Sequence, residues 1–146
     1  MRKNRVAMAV SGAVFAMTAA LVPGTAHAAP PAAAAPVPSN AALAQAAIDC
    51  GTGNVCFWTE YNFTGQRCAW SVADPDWQGG SIRCSWAATT NVKSVFNAGT
   101  SSATGVAYYL STDYNNRIGC ERQQHGANLA GTYKVRSHRW ISGSCG

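Results

Sequence analysis

Asp49, Glu60, Asp74, Asp76, Asp113 and Glu121 are the carboxylates of the chain, and His125 and His138 are its histidines beyond the first 28 residues. Hydrolysis by paired carboxylates needs two such groups on separate elements facing a cleft. Only Asp74 and Asp76 are close in sequence, and Pro75 between them marks a turn rather than a cleft wall. A nucleophilic triad needs a serine or cysteine, a base and an orienting group within mutual reach. His125 lies in the polar run Gln123-Gln124-His125-Gly126, His138 lies between Arg136 and Arg139, and no serine sits in a strained Gly-x-Ser-x-Gly turn. Both histidines read as surface residues, and no catalysis is expected. Zinc fits no better, because no Cys-x-x-Cys pair exists and the two histidines are 13 positions apart. No metal and no cofactor is expected.

The elements that would hold these residues begin late in the chain. Arg2, Lys3 and Arg5, an apolar run from Val6 to Val22 and the small-residue pattern Ala26-His27-Ala28 describe a secretory signal over residues 1–28. The competing reading is a membrane anchor, but 17 residues interrupted by Ser11, Gly12 and Thr18 are at the short limit for a span. Residues 29–48 are rich in Ala and Pro, and Pro30, Pro31, Pro36 and Pro38 oppose helix, so this stretch reads as an extended tether or pro-segment. Residues 49–146 then form one small domain. Cys50, Cys56, Cys68, Cys84, Cys120 and Cys145 all fall within it. An even cysteine count in a small exported domain predicts three disulfides, with 15 possible pairings. Removing Arg2, Lys3 and Arg5 leaves eight Lys or Arg against six Asp or Glu, a formal +2 that gives no reason to expect nucleic acid or an anionic membrane as partner.

A signature occurs twice. Phe57-Trp58, Tyr61, Phe63 and Gly65 lead to Thr89-x-x-Val92-x-Ser94, and Tyr108-Tyr109, Tyr114 and Asn116 lead to Thr132-x-x-Val135-x-Ser137. The copies span about 55–97 and 106–141. Self-similarity of this kind predicts two units burying each other's apolar faces. Residues Gln66–Trp70, Ser81–Trp86, Val106–Leu110 and Tyr133–Val135 alternate with period two, as half-buried antiparallel strands do. Asn62–Gly65, Gly79-Gly80, Asn97–Gly99, Asn115-Asn116 and Gly126–Asn128 read as turns. The fold class is all-β.

The run Trp58, Tyr61, Phe63 and Gly65, followed about thirty residues on by Asn91-Val92-Lys93-Ser94-Val95, resembles the Greek-key motif of βγ-crystallins. With the Val55-Cys56-Phe57-Trp58 opening and the small cysteine-rich size, the domain is similar to the Streptomyces metalloproteinase inhibitor family, which includes killer-toxin-like relatives. The resemblance implies two Greek keys in a disulfide-stabilised sandwich over the whole domain. Calcium-binding members carry paired Asn or Asp before their hydroxyl residues. Here Thr89-Thr90 and Thr132-Tyr133 stand there, and Lys93 and Arg136 replace the first hydroxyl, so no calcium site is expected.

The resemblance also frames the function. The first copy is eight residues longer than the second, and an added loop is where function tends to sit. Most of the aromatic side chains are expected to fill the core. Trp77 lies outside any clear strand in that longer copy and reads as an exposed contact residue. The partner-binding loop is therefore placed at Ala73–Gly80, with Asp74, Pro75, Asp76, Trp77 and Gln78 as its candidate residues. If Cys68 pairs with Cys84, the loop base is pinned and its docking costs less entropy. Against an extracellular zinc protease, Trp77 would be the apolar anchor and Asp76 or Asp74 the oxygen near the metal. A monomer is expected, without contact to a membrane after signal removal. The alternative is a secreted module that binds a cell wall or carbohydrate, or acts like a killer toxin.

Overall fold

The computed structural model describes residues 34–146. The signal sequence over 1–28 and the first part of the tether lie outside the described residues.

The remainder of the tether region differs from the expected extended chain. Residues Asn40–Cys50 form α1. All the prolines of this stretch precede Ser39, whose side chain caps the helix by accepting a hydrogen bond from the Ala42 N–H. The alanine, leucine and glutamine residues after the cap are strong helix formers. Leu43, Ala46, Ala47 and Cys50 recur at helical spacing and pack on Phe63, Phe96 and Ala98. Gly51, at φ 74°, ends the helix in a conformation other residues adopt only with strain.

Seven strands follow: β1 (Val55–Trp58), β2 (Arg67–Trp70), β3 (Ser94–Asn97), β4 (Gly105–Tyr109), β5 (Arg117–Arg122), β6 (His125–Asn128) and β7 (Ser137–Ile141). They form two antiparallel sheets, ordered β2-β1-β3-β6 and β5-β4-β7. The architecture is an all-β, disulfide-stabilised sandwich with one short helix. Phe57, Trp70, Trp77, Val95, Val106 and Tyr108 meet between the sheets, and each is at most 4% exposed. Three local expectations fail, one of them the strand at Tyr133–Val135, which lies outside any strand. Gly126–Asn128 belongs to β6, because its backbone pairs with Ser94–Phe96 of β3. Ser81–Trp86 is not a strand: Cys84 and Trp86 are buried but Ile82 is 45% exposed.

The repeated signature has a common local geometry. In the first copy the Ser94 hydroxyl donates to the Glu60 carbonyl (2.7 Å) and accepts from the Phe63 N–H (3.1 Å). In the second, Ser137 donates to the Ser111 carbonyl (2.6 Å) and accepts from the Tyr114 N–H (3.2 Å). Each serine thus ties the last strand of its copy to a folded-over hairpin. Asn62 and Phe63 have φ of 56° and 62°, and Asp113 and Tyr114 have the same two values. Such left-handed non-glycine pairs persist only where surrounding bonds over-determine them, and the buried serines supply those bonds.

The copies also exchange strands. β6, from the second copy, pairs with β3 of the first. Reciprocally, Asp74 of the first copy bridges His138 on β7 of the second, with N–H to carbonyl bonds of 3.0 Å in both directions.

Candidate functional site

The segment from Asp74 to Cys84 is fixed from beneath by backbone, side-chain and covalent bonds. After the Asp74–His138 bridge, the Trp77 N–H donates to the Arg136 carbonyl at 2.9 Å. The Cys84 N–H then returns to the Trp77 carbonyl at 2.8 Å, closing a loop over residues 78–83. The Cys68–Cys84 disulfide ties the far end of that loop to β2. The other two disulfides join Cys50 to Cys56 and Cys120 to Cys145.

Trp77 is not an exposed contact residue. It is fully buried, stacked on Trp70 with ring centroids 4.5 Å apart and tilted against Phe57 at 4.7 Å. The sequence reading failed because the segment holding this tryptophan bonds to the other copy, through the Asp74–His138 bridge and the Trp77 N–H to the Arg136 carbonyl. Its apolar ring is a core residue of the interface between copies, and an anchor for a partner's pocket cannot be drawn from it.

The two aspartates are equally committed. Asp74 accepts from the Trp70 indole N–H through Oδ2 (2.8 Å) and from the Asp76 N–H through Oδ1 (2.8 Å). Asp76 Oδ1 accepts from the Gln78 N–H (3.0 Å) and from Arg136 Nε (2.6 Å), and Oδ2 from Arg136 Nη2 (3.2 Å). The Arg136 guanidinium, with the Gln78 N–H, holds the Asp76 carboxyl below its ordinary range. Asp76 thereby raises the Arg136 guanidinium further. Both carboxylates shape the loop, and each of their oxygens accepts at least one hydrogen bond within it. Lys93, at the position matching Arg136, pairs with Glu60 of its own hairpin at 2.6 Å. Ser111 stands where Glu60 does in the second copy, so Arg136 takes its carboxylate from the first copy's loop instead.

His138 is a residue the sequence reading placed on the surface; it is fully buried. Its Nδ1 accepts the Trp77 indole N–H at 2.8 Å, which requires the proton on Nε2, and Nε2–H donates to the Val72 carbonyl at 3.1 Å. Burial pushes its pKa down to about 4, against a smaller raising effect of the Val72 carbonyl. The imidazole is neutral at pH 7 and serves as a latch under the loop. Arg136 and His138 flank Ser137 of the repeated signature. That adjacency was visible in the sequence, but their role was not, because it depends on the strand exchange.

With Asp74 and Trp77 turned inward, the outer surface of the segment consists of Pro75, the half-buried Gln78 and the exposed run Gly80-Ser81-Ile82-Arg83. Gly79 passes close over Asp76: a Cβ there would lie 2.9 Å from Asp76 Oδ2. Ile82 is the large apolar residue presented at this tip. His125 is exposed, with Nδ1 2.7 Å from the Gln123 carbonyl, and lies on β6, away from His138. Among the described residues no group of three or more His, Cys, Asp or Glu side chains is arranged to hold a metal ion, and every cysteine is in a disulfide.

No curated protein matches the chain. The family model described as peptidase inhibitor family I36 matches residues 43–121, from α1 through β5, and so includes the whole latched loop. The match covers more than half of the sequence, and the family it describes is one of inhibitors rather than catalysts: the chain belongs to peptidase inhibitor family I36.

Proposed function

We propose that the protein is exported, loses its signal sequence after Ala28, and inhibits an extracellular zinc-dependent peptidase by docking the outer edge of the latched loop. The observation that carries this reading is the number of independent restraints on one short exposed run. Residues 80–83 lie between a disulfide, a return backbone bond from Cys84 to Trp77 and the Asp76–Arg136 ion pair. A segment ordered before binding loses less freedom on docking and is a poor substrate, because it cannot relax readily into the extended form a peptidase cleaves. Three disulfides suit the oxidising extracellular setting where such peptidases act. Ile82 supplies the apolar contact in this scheme, with Pro75 and Gln78 beside it, while Asp74, Asp76 and Trp77 hold the loop in shape.

The test is inhibition of a thermolysin-type enzyme, with a serine peptidase as comparison. Ile82→Ala should weaken inhibition at least tenfold while leaving the melting temperature within about 2 °C, as expected for an exposed position. Unchanged inhibition by that variant removes the loop from the interface. Inhibition of the serine peptidase alone removes the zinc enzyme as target.

A further inference from the structure

The outer face of the β5-β4-β7 sheet differs in kind from that of the first sheet. There, α1 covers Phe96 and Ala98 with its apolar side. On the second sheet the cross-strand register sets Arg122 beside Gly105 and Ile141, Cys120 beside Ala107 and Arg139, and Arg117 beside Tyr109 and Ser137. Side chains alternate along a strand, so Arg122 and Arg139 fall on the side opposite the core residues Val106 and Tyr108, and the β-bulge that sets Arg117 rather than Ile118 opposite Tyr109 returns Arg117 to that same side. Each is exposed. They are half of the six arginines among the described residues.

Two of these guanidinium groups are fixed in place. Arg139 Nε donates to the Tyr109 hydroxyl at 3.1 Å, and its guanidinium carbon lies 5.7 Å from the Tyr109 ring centroid and 5.1 Å from that of Tyr114. Arg117 donates to the Ser144 carbonyl at 3.2 Å and, at 3.5 Å, to that of Gly119. None of the three forms an ion pair among the described residues, where the pairs are Lys93–Glu60 and Arg136–Asp76. Two-strand separation puts Arg139 about 10 Å from the β5 arginines. Positioned guanidinium forks without carboxylates are sites for oxyanions, which they bind in bidentate fashion.

We propose that this face binds a linear phosphate-bearing polymer, laid across the strands and contacted by Arg117, Arg122 and Arg139. Spaced positive charges on a face crossed over Gly105 by the Cys120–Cys145 disulfide suit a flexible polyanion that can follow the relief. A protein partner would need an apolar centre, and the large exposed apolar residues of the described chain, Val37, Ile48, Val72, Ile82 and Leu110, all lie outside β4, β5 and β7. The face is separate from the loop at Pro75–Arg83, so the proposal does not rest on the zinc-peptidase reading.

The experiment measures binding of the intact oxidised domain to inorganic polyphosphate across a salt series, with anionic phospholipid vesicles and an acidic polypeptide (polyglutamate) as the other probes. Three contacts predict a slope of log K against log salt near about −2, flattening by about 0.7 for each arginine replaced. Arg117→Gln with Arg122→Gln should weaken polyphosphate binding at least tenfold and leave peptidase inhibition unchanged. The charge-matched pair Arg67→Gln with Lys134→Gln, on other surfaces, should weaken it less than twofold. Equal losses in both pairs would mean general charge attraction and overturn the proposal, as would no loss in the first pair. Tighter binding to vesicles or polyglutamate than to polyphosphate would also overturn it. If the double variant melts early, Arg122→Gln alone decides the matter, since that side chain donates no hydrogen bond among the described residues.

Discussion

Acidification should release the loop latch, and the cost can be worked out from His138. In the folded protein this imidazole titrates at about 4, against an ordinary value of 6.5. Between those values the unfolded chain takes up a proton that the folded chain refuses. The stabilisation is therefore fully present above pH 6.5 and is lost as the pH falls toward 4. At about 1.4 kcal/mol per unit over the window, the loss is about 3 kcal/mol. Glu121 works in the opposite direction. Burial pushes its carboxyl up to about 7 from an ordinary 4.5, with the positive charge of His125 countering part of the shift. The folded state thus holds a proton the unfolded state has shed, and that contribution is lost as pH rises through 7. The two slopes oppose each other between pH 4.5 and 6.5, so unfolding of the wild type in urea should change little across that range. Glu121→Gln should remove the opposing slope, and stability should then fall by about 3 kcal/mol from pH 7 to pH 4. Locally, the Trp77 indole loses its acceptor once Nδ1 is protonated, so hydrogen exchange at the Trp77 indole and the Cys84 amide should accelerate before global unfolding. An imidazole resonance of His138 titrating near 6.5 in the folded protein, or a flat stability profile in Glu121→Gln, would refute the reasoning.

Two further outcomes test the scaffold. Trp77→Ala should cost about 3–5 kcal/mol in urea unfolding, because a fully buried indole stacked on Trp70 is removed; a cost below about 1 kcal/mol would contradict its place in the core. Ser94→Ala and Ser137→Ala should each cost about 1–3 kcal/mol and lie close to one another, since each removes the same pair of bonds to its hairpin. Circular dichroism melts of the two variants provide the comparison, and a large asymmetry would contradict the equivalence of the copies.

Much of the frame was legible in the sequence. The period-two alternation of Val106–Leu110 and Gln66–Trp70, the paired aromatic signatures and the even cysteine count determined an all-β, disulfide-stabilised sandwich, because strand faces and turn chemistry are local properties. The helix at Asn40–Cys50 was readable in principle from Ser39 and the residues after it, and was hidden by the prolines immediately before.

What only the tertiary structure decided was which copy each segment serves. Trp77 looks like a loop tryptophan when its neighbours along the chain are Asp76 and Gln78, and His138 looks exposed beside Arg139. Each is buried because Asp74–Trp77 crosses over to pair with β7, bringing residues 61 positions apart to within 2.8 Å. The same crossing turned two candidate metal-facing aspartates into braces and moved the exposed surface to Gly80–Arg83. Strand exchange between repeats is a long-range pairing, selected by the burial of the whole apolar seam, and no window of local sequence encodes it.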